Sequence, residues 1–169
     1  MTIFTFNEQQ SIGEVRSVET SRITIRVTDG QRLQKARVGR LVAIQATGDE
    51  WLIGIVERVW RHPVELPTLD EGEVAEGAAA IQQEENGVAI SLVGTYRARD
   101  GQRHNTFSRA VFALPEINRP VYPIEEKSLE DFMGILSASS KADAATPLKV
   151  GTYTLDGKAS AYIDGDKLF

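Results

Sequence analysis

The chain has no cysteine among its 169 residues and only two histidines. The absence of cysteine excludes disulfide frameworks, thiolate zinc sites and cysteine nucleophiles. His62 and His104 lie far apart in the sequence, and neither has a second histidine at the spacing of metal ligands. A chain of this length can still bury about two-thirds of its unfolded surface in one core. We therefore expect a cytoplasmic protein that needs neither a metal nor a disulfide to fold.

Long hydrophobic runs are also missing. No apolar stretch is long enough to span a bilayer, and the N-terminus has no basic region followed by an apolar stretch. We expect neither export nor membrane insertion. Aromatic residues make up only 7% of the chain, and the formal net charge is -5. Binding to a polyanion would therefore need a local basic strip that acts against the overall field.

What the first half of the chain does contain is a succession of short strand patterns. Residues 23–27 alternate between apolar and polar side chains, and Asp29-Gly30 follows as a predicted tight turn. Two apolar runs rich in β-branched residues, 41–46 and 51–60, are separated by a short polar segment and predict a hairpin.

A second pair of predicted strands, residues 88–96 and 107–114, flanks a turn at Asp100-Gly101. Short strands joined by glycine-containing turns favour a closed or nearly closed antiparallel barrel, which also removes exposed sheet edges. We predict a mainly β fold: a small antiparallel β-barrel with one or two short helices and a C-terminal hairpin-like extension.

The predicted organisation has three parts. Residues 1–126 form the barrel, interrupted at residues 66–87 by an acidic excursion with few large apolar side chains. Residues 127–147 form a helix, with Ser128 as its N-cap, and a linker. Residues 148–169 form the final, hairpin-like segment. The apolar face of the helix is expected to lie on the barrel and consists of Leu129, Phe132, Met133 and Leu136.

No combination of residues in the chain is typical of catalysis. Residues 157–160 are superficially similar to the end of a phosphate-binding loop, but Thr152 lies where that loop needs glycine and Ala159 follows the lysine. We interpret Asp156-Gly157 as a hairpin turn instead. No serine lies in a nucleophile-elbow pattern, and clustered carboxylates are typical of a solvated surface. We predict that this chain by itself is not an enzyme.

Tryptophan and arginine supply the candidate interaction residues, because these side chains dominate interface hot spots. In an alternating strand Trp51 and Trp60 project to opposite faces, so at least one would lie outside the core. The alternative is that the excursion or the helix covers both. The candidates for a partner or oligomer interface are Trp51, Arg58, Trp60, Arg61, Arg97 and Arg99.

The order of the strand patterns adds a further observation. Four segments of the first half carry it: Ser11 to Val15, Ile23 to Val27, Gly39 to Ile44, and Ile53 to Val59. Four later segments continue it: Leu92 to Tyr96, Phe107 to Phe112, Pro115 to Tyr122, and Tyr162 to Asp166. In this order they resemble, over nearly the whole chain, the HAS barrel at the N-terminus of HerA-like hexameric DNA-translocating ATPases.

The resemblance implies a role in assembly. Such barrels help to form the collar of a self-associating hexameric ring, and that face docks a partner nuclease or an antiviral effector enzyme. The resemblance also implies that the ATPase core, with its ATP, its Mg and its contact with DNA, lies beyond Phe169. Residues 148–169 would then lead into that core, and we expect no cofactor in this chain. The parent protein would act in DNA repair or in antiviral defence.

A nucleic-acid-binding small barrel is the alternative, because that class uses the same architecture with a cationic, aromatic face. The net charge of -5 and the scarcity of aromatic residues between Val88 and Leu114 disfavour it. We expect at most weak binding that depends steeply on salt. A small hydrolase is disfavoured by the missing nucleophile and metal patterns.

Overall fold

The computed structural model describes residues 3–46, 48–64, 83–98, 105–138 and 147–164. The strands are β1 (Gly13–Val18), β2 (Arg22–Val27), β3 (Leu41–Gln45), β4 (Glu50–Val64), β5 (Gln83–Arg97), β6 (Thr106–Ser108), β7 (Pro120–Pro123), β8 (Pro147–Tyr153) and β9 (Asp156–Asp164). The helices are α1 (Gly30–Lys35), α2 (Glu126–Ala138) and a 3-10 turn (Glu8–Gln10). None of the described helices is long and apolar enough to cross a membrane.

Six strands close into an antiparallel barrel in the order β1, β2, β5, β4, β3, β7 and back to β1. The predicted fold class, a mainly β protein built on a small antiparallel barrel with few helices, is confirmed. Strand β5 pairs with β4 along its whole length, with β2 near its start and with β6 near its end. The pairing of β2 with β5 is what closes the barrel.

The barrel interior is filled by aliphatic side chains. On β2 the residues that point inward are Ile23, Ile25 and Val27, as the alternating pattern predicts. Gly54 faces the same interior, where an added methyl group would overlap the Ile90 side chain. The barrel is therefore a packed core rather than a channel. This inner cluster consists of Ile12, Val15, Ile23, Ile25, Val27, Ala36, Val42, Ile44, Ala46, Leu52, Val56, Val88, Ile90 and Val121.

A second core lies on the outside of the barrel wall, beneath α2. It is built from outward-facing strand residues, the N-terminal segment, α2 and β9, and it contains the buried Phe132 of the predicted apolar helix face. Phe4 lies at its centre, with its ring 4.9 Å from that of Tyr96 and 6.2 Å from that of Phe132. This outer cluster consists of Phe4, Ala43, Ile53, Tyr96, Ile124, Leu129, Phe132 and Ala159.

The hairpin predicted from residues 41–46 and 51–60 is confirmed as β3 and β4. The tight turn predicted at Asp29-Gly30 is wrong. Asp29 is the N-cap of α1, where its Oδ1 accepts a hydrogen bond from the Gln31 backbone N–H at 2.9 Å. An aspartate before a short helix satisfies a free backbone donor as readily as it starts a turn, so the local signal was ambiguous.

Three further boundaries differ from the prediction. Helix α2 begins at Glu126, so Ser128 lies inside its first turn and is not the N-cap. The turn of the last hairpin lies at residues 154–155, and Asp156-Gly157 opens β9 instead. Strand β5 begins at Gln83, so the end of the predicted excursion is strand. The remaining excursion residues and most of the predicted linker lie outside the described residues.

Candidate functional site

Both tryptophans lie on the outer face of the barrel wall, and the prediction that they face opposite sides is wrong. Trp51 pairs with Tyr96 of the outer cluster, and Trp60 pairs with Gly87 on β5. A β-bulge between Val56 and Arg58 inserts one residue into β4. One extra residue reverses the alternation of side chains beyond it. The bulge therefore returns Trp60 to the face that Trp51 occupies.

Trp60 lies flat across the backbone of β5. Its indole ring occupies the space above Gly87, where any Cβ would overlap it, and the glycine is buried as a result. The Arg58 guanidinium lies over the ring, 5.0 Å from the centroid. Trp60 is half-buried and Arg58 is exposed, so the stack presents an aromatic and cationic surface outside the barrel.

Arg26 is a second arginine beside Trp60. It lies on β2 in register with Gly87, so it is one strand beyond the tryptophan on the same face. Arg61 follows Trp60 in the strand and therefore lies on the opposite side of the wall, in register with Asn86 and Val27. There its Nε contacts Asn86 Oδ1 at 3.1 Å and Glu84 Oε2 at 3.2 Å. We call Arg26, Arg58, Trp60 and Gly87 the Trp60 face.

The charge around the Trp60 face is nearly balanced. Across β1, β2 and residues 57–61 and 84–85 there are five arginines and four glutamates, which leaves a net charge of one positive unit. Three of these arginines form ion pairs with glutamates of the same region: Arg16 with Glu85, Arg22 with Glu57, and Arg61 with Glu84. A surface of this kind offers paired charges around an aromatic centre rather than a positive field.

The other candidate residues lie elsewhere. Trp51 packs against Phe4 and Phe6, with ring centroids 5.7 and 5.4 Å away, and so supports the outer cluster. Arg97 Nε lies 2.7 Å from Glu50 Oε1, and the Arg97 guanidinium carbon lies over the Phe112 ring, 4.9 Å from its centroid. Arg99 lies outside the described residues. The structure thus brings together Arg58 and Trp60 and separates them from Trp51 and Arg97, while Arg61 lies on the other side of the wall.

Sequence reasoning missed Arg26 and Gly87. Arg26 occupies a polar position of an alternating strand, a pattern that most solvated strand residues share. Its neighbourhood with Trp60 arises only through the pairing of β2 with β5 and of β5 with β4. Gly87, which lies between Asn86 and the apolar run that begins at Val88, was the one available signal, because glycine inside a strand often marks a close approach.

Residues 157–160 do not form a phosphate-binding loop. They open β9, and Ala159 and Ser160 are buried. Lys158 Nζ binds Glu126 Oε1, and this hydrogen bond raises the pKa of the lysine above its ordinary value. Among the described residues there is no group of three or more His, Asp or Glu that could hold a metal ion.

An apolar cleft of about 1150 Å³ lies between the outer barrel wall, α2 and the tip of the last hairpin. Ile55 and Val93 form its floor on the barrel wall, Met133 and Leu136 line it from α2, and Leu155 closes the hairpin side. We call this the α2 cleft. It lies on a different part of the wall from the Trp60 face, because its β4 residue, Ile55, precedes the bulge and Trp60 follows it.

Comparison of the sequence with known protein families and with curated proteins found no match.

Proposed function

We propose that this chain is a non-catalytic assembly and partner-docking domain of a HerA-like ATPase. The closed six-stranded barrel has the architecture that the resemblance implies. In this proposal the domain contributes to a hexameric ring and docks a nuclease or an antiviral effector enzyme. ATP, Mg and DNA are handled by the parent protein's motor in the cytoplasm, and this chain holds no cofactor.

The Trp60 face is the observation that supports docking most directly. It combines a half-buried tryptophan with two arginines, Arg26 and Arg58, on one side of a rigid barrel wall. Tryptophan and arginine are the residues most enriched in protein interface hot spots. The strands hold the ring in place before binding, so little side-chain freedom remains to be lost when a partner covers it.

The charge balance of the same surface favours a protein partner over a nucleic acid. Binding to phosphates depends on the number of cations that are not already neutralised. Here four glutamates stand among five arginines, and three ion pairs occupy three of the arginines. A protein partner can exchange such ion pairs across an interface, whereas a polyanion meets the glutamates as repulsive charges.

The test uses photo-crosslinking in cells that contain the parent ATPase with its partner. A photoreactive side chain replaces Thr24, which lies on β2 beside the Trp60 face, and mass spectrometry identifies the proteins joined to it. We expect a nuclease or effector enzyme, or a neighbouring copy of the ATPase. Trp60→Ala and Arg58→Ala should each lower the crosslinked yield about tenfold or more, as expected for hot-spot truncations.

Arg37→Ala serves as the matched control, because Arg37 is an exposed arginine outside the Trp60 face. It should leave the crosslinked yield unchanged, and all three variants should keep the melting temperature of the parent chain within a few degrees. Equal yields in Trp60→Ala and wild type would contradict the proposal. Crosslinks to nucleic acid in place of protein would favour the small nucleic-acid-binding barrel.

A further inference from the structure

The α2 cleft is an apolar concavity that lies outside the packed barrel interior. Its walls come from three separate elements, which are the barrel wall, α2 and the tip of the β8–β9 hairpin. The apolar lining continues onto the outer rim, where Leu136 is 37% exposed and Leu155 is 41% exposed. Apolar surface that extends from a cleft onto its rim marks a binding site rather than a packing defect.

The charged groups at the cleft differ in whether they have ion-pair or hydrogen-bond partners. Arg40 forms an ion pair with Glu125, and the two carboxylate oxygens of Asp156 accept hydrogen bonds from the backbone N–H groups of Glu126 and Lys158. Arg109 also lines the cleft, but within the described part of the chain it has no carboxylate at ion-pair distance. Among these residues, one positive charge beside the apolar groove is therefore not paired.

The shape of the groove favours one class of ligand. Its volume of about 1150 Å³ lies just above the roughly 300–1,000 Å³ of ordinary small-molecule pockets, so the exposed apolar rim is the feature that decides. A compact ligand inside the cleft would leave the exposed rim leucines in water. A peptide segment that lies along the groove covers both the floor and the rim, and its large side chains fill the space between α2 and the hairpin.

We propose that the α2 cleft binds a peptide segment of a partner protein, one that presents several large apolar side chains and at least one carboxylate for Arg109. This second surface goes beyond the proposed docking at the Trp60 face and stands or falls independently of it. The two rim leucines and Arg109 are the residues whose removal separates the proposal from a purely structural cleft.

The experiment selects peptides from a random displayed library against the immobilised full chain. We expect the enriched sequences to combine large apolar residues with aspartate or glutamate. A synthetic peptide of the enriched sequence is then titrated by fluorescence anisotropy. The double variant Leu136→Ser with Leu155→Ser should weaken binding about tenfold or more, since it removes apolar contact area at both sides of the groove.

A charge exchange tests the role of Arg109. Arg109→Glu should weaken binding of the acidic peptide. A peptide in which lysine replaces the acidic residue should bind this variant again, but not the wild type. Trp60→Ala is the matched control outside the cleft, and it should bind the peptide like the wild type. The melting temperature of each variant shows that the chain remains folded.

Several results would overturn the proposal. These are a selection that enriches no peptide, enriched peptides that bind the double leucine variant as well as the wild type, and a charge exchange without recovery. Light scattering provides a further outcome: a dimer of the wild-type chain that the leucine variant abolishes would assign the cleft to self-association. Loss of peptide binding in Trp60→Ala would place the peptide on the Trp60 face.

Discussion

The two cores of this protein lie on opposite sides of one barrel wall and are held together differently. The inner cluster is aliphatic and is enclosed by a continuous ring of strand pairings. The outer cluster contains three aromatic side chains, Phe4, Tyr96 and Phe132, and its cover consists of α2, the hairpin and the N-terminal segment. Phe6 shows the difference, because this residue of the N-terminal segment is held to the barrel by ring stacking on Tyr122 of β7, with centroids 4.7 Å apart, and not by strand pairing.

One barrel wall serves two cores, and we expect these cores to differ in how cooperatively they unfold. Opening the inner cluster requires the rupture of backbone pairing around the barrel, whereas the cover of the outer cluster can lift while the barrel stays closed. Asp156 and Lys158 hold the hairpin to Glu126 at the start of α2 through a few exposed polar contacts. The α2 cleft lies beneath this cover. A ligand in the cleft would therefore contact α2 and the hairpin, which can move while the barrel stays closed.

The largest expected effect comes from the inner cluster. Leu52 is fully buried in the barrel, so Leu52→Ala should lower the free energy of unfolding by about 2–5 kcal/mol. Urea denaturation followed by circular dichroism measures the loss, and amides of β3, β4 and β5 should lose protection from hydrogen exchange together. A loss of protection confined to β4 would break the idea of one cooperative barrel.

A smaller effect on the whole molecule is expected from the outer cluster. Phe132→Ala should lower the local opening free energy of α2 by about 3–5 kcal/mol while the barrel amides keep most of their protection. Phe112, which is 60% exposed, provides the control: Phe112→Ala should change stability by less than about 1 kcal/mol. Equal loss of protection in α2 and in the barrel would show that the two cores unfold as one.

The smallest expected effect is a difference between the two cores in their stability at alkaline pH. Burial, with a smaller contribution from Glu8, raises the pKa of Tyr122 above its ordinary 10.0, and burial does the same for the pKa of Tyr153. Folding therefore favours the neutral phenols. Their contribution to stability is complete below pH 10.0 and is lost as the pH rises through the raised values. The inner cluster contains no titratable side chain.

Hydrogen exchange at a series of pH values above 10.0 measures this difference. We expect α2 to lose protection before the barrel does. The double variant Tyr122→Phe with Tyr153→Phe should delay the loss, because it keeps the rings and removes the ionisable groups. Simultaneous loss in both regions, or no delay in the variant, would count against a separately titrating outer core.

The strand pattern was the part of the fold that the sequence made predictable. Alternation at Ile23, Ile25 and Val27 identified inward residues correctly, and β-branched runs identified the β3–β4 hairpin. The apolar spacing of Phe132 and its neighbours identified α2, although not its first residue. These features depend on residues that are close in the chain, so local periodicity is enough to reveal them.

The candidate site was only partly predictable. Arg58, Trp60 and Arg61 were chosen for their residue types, and the structure stacks Arg58 on Trp60 but turns Arg61 to the other side of the wall. Trp51 was chosen for the same reason and packs in the outer cluster instead. Composition shows which side chains can serve an interface, but it does not show on which side of a strand they emerge.

Side-chain alternation is a local property of the backbone, so it is enough to identify a mainly β protein whose strands have one apolar side. How the barrel closes and where Trp60 points depend on the pairing of strands that are distant in the chain. Closure pairs β2 with β5 across a long stretch of chain, and the bulge after Val56 depends on how β4 and β5 fit together. Long-range pairing and a one-residue insertion leave no periodic signal, so they depend on packing between distant strands.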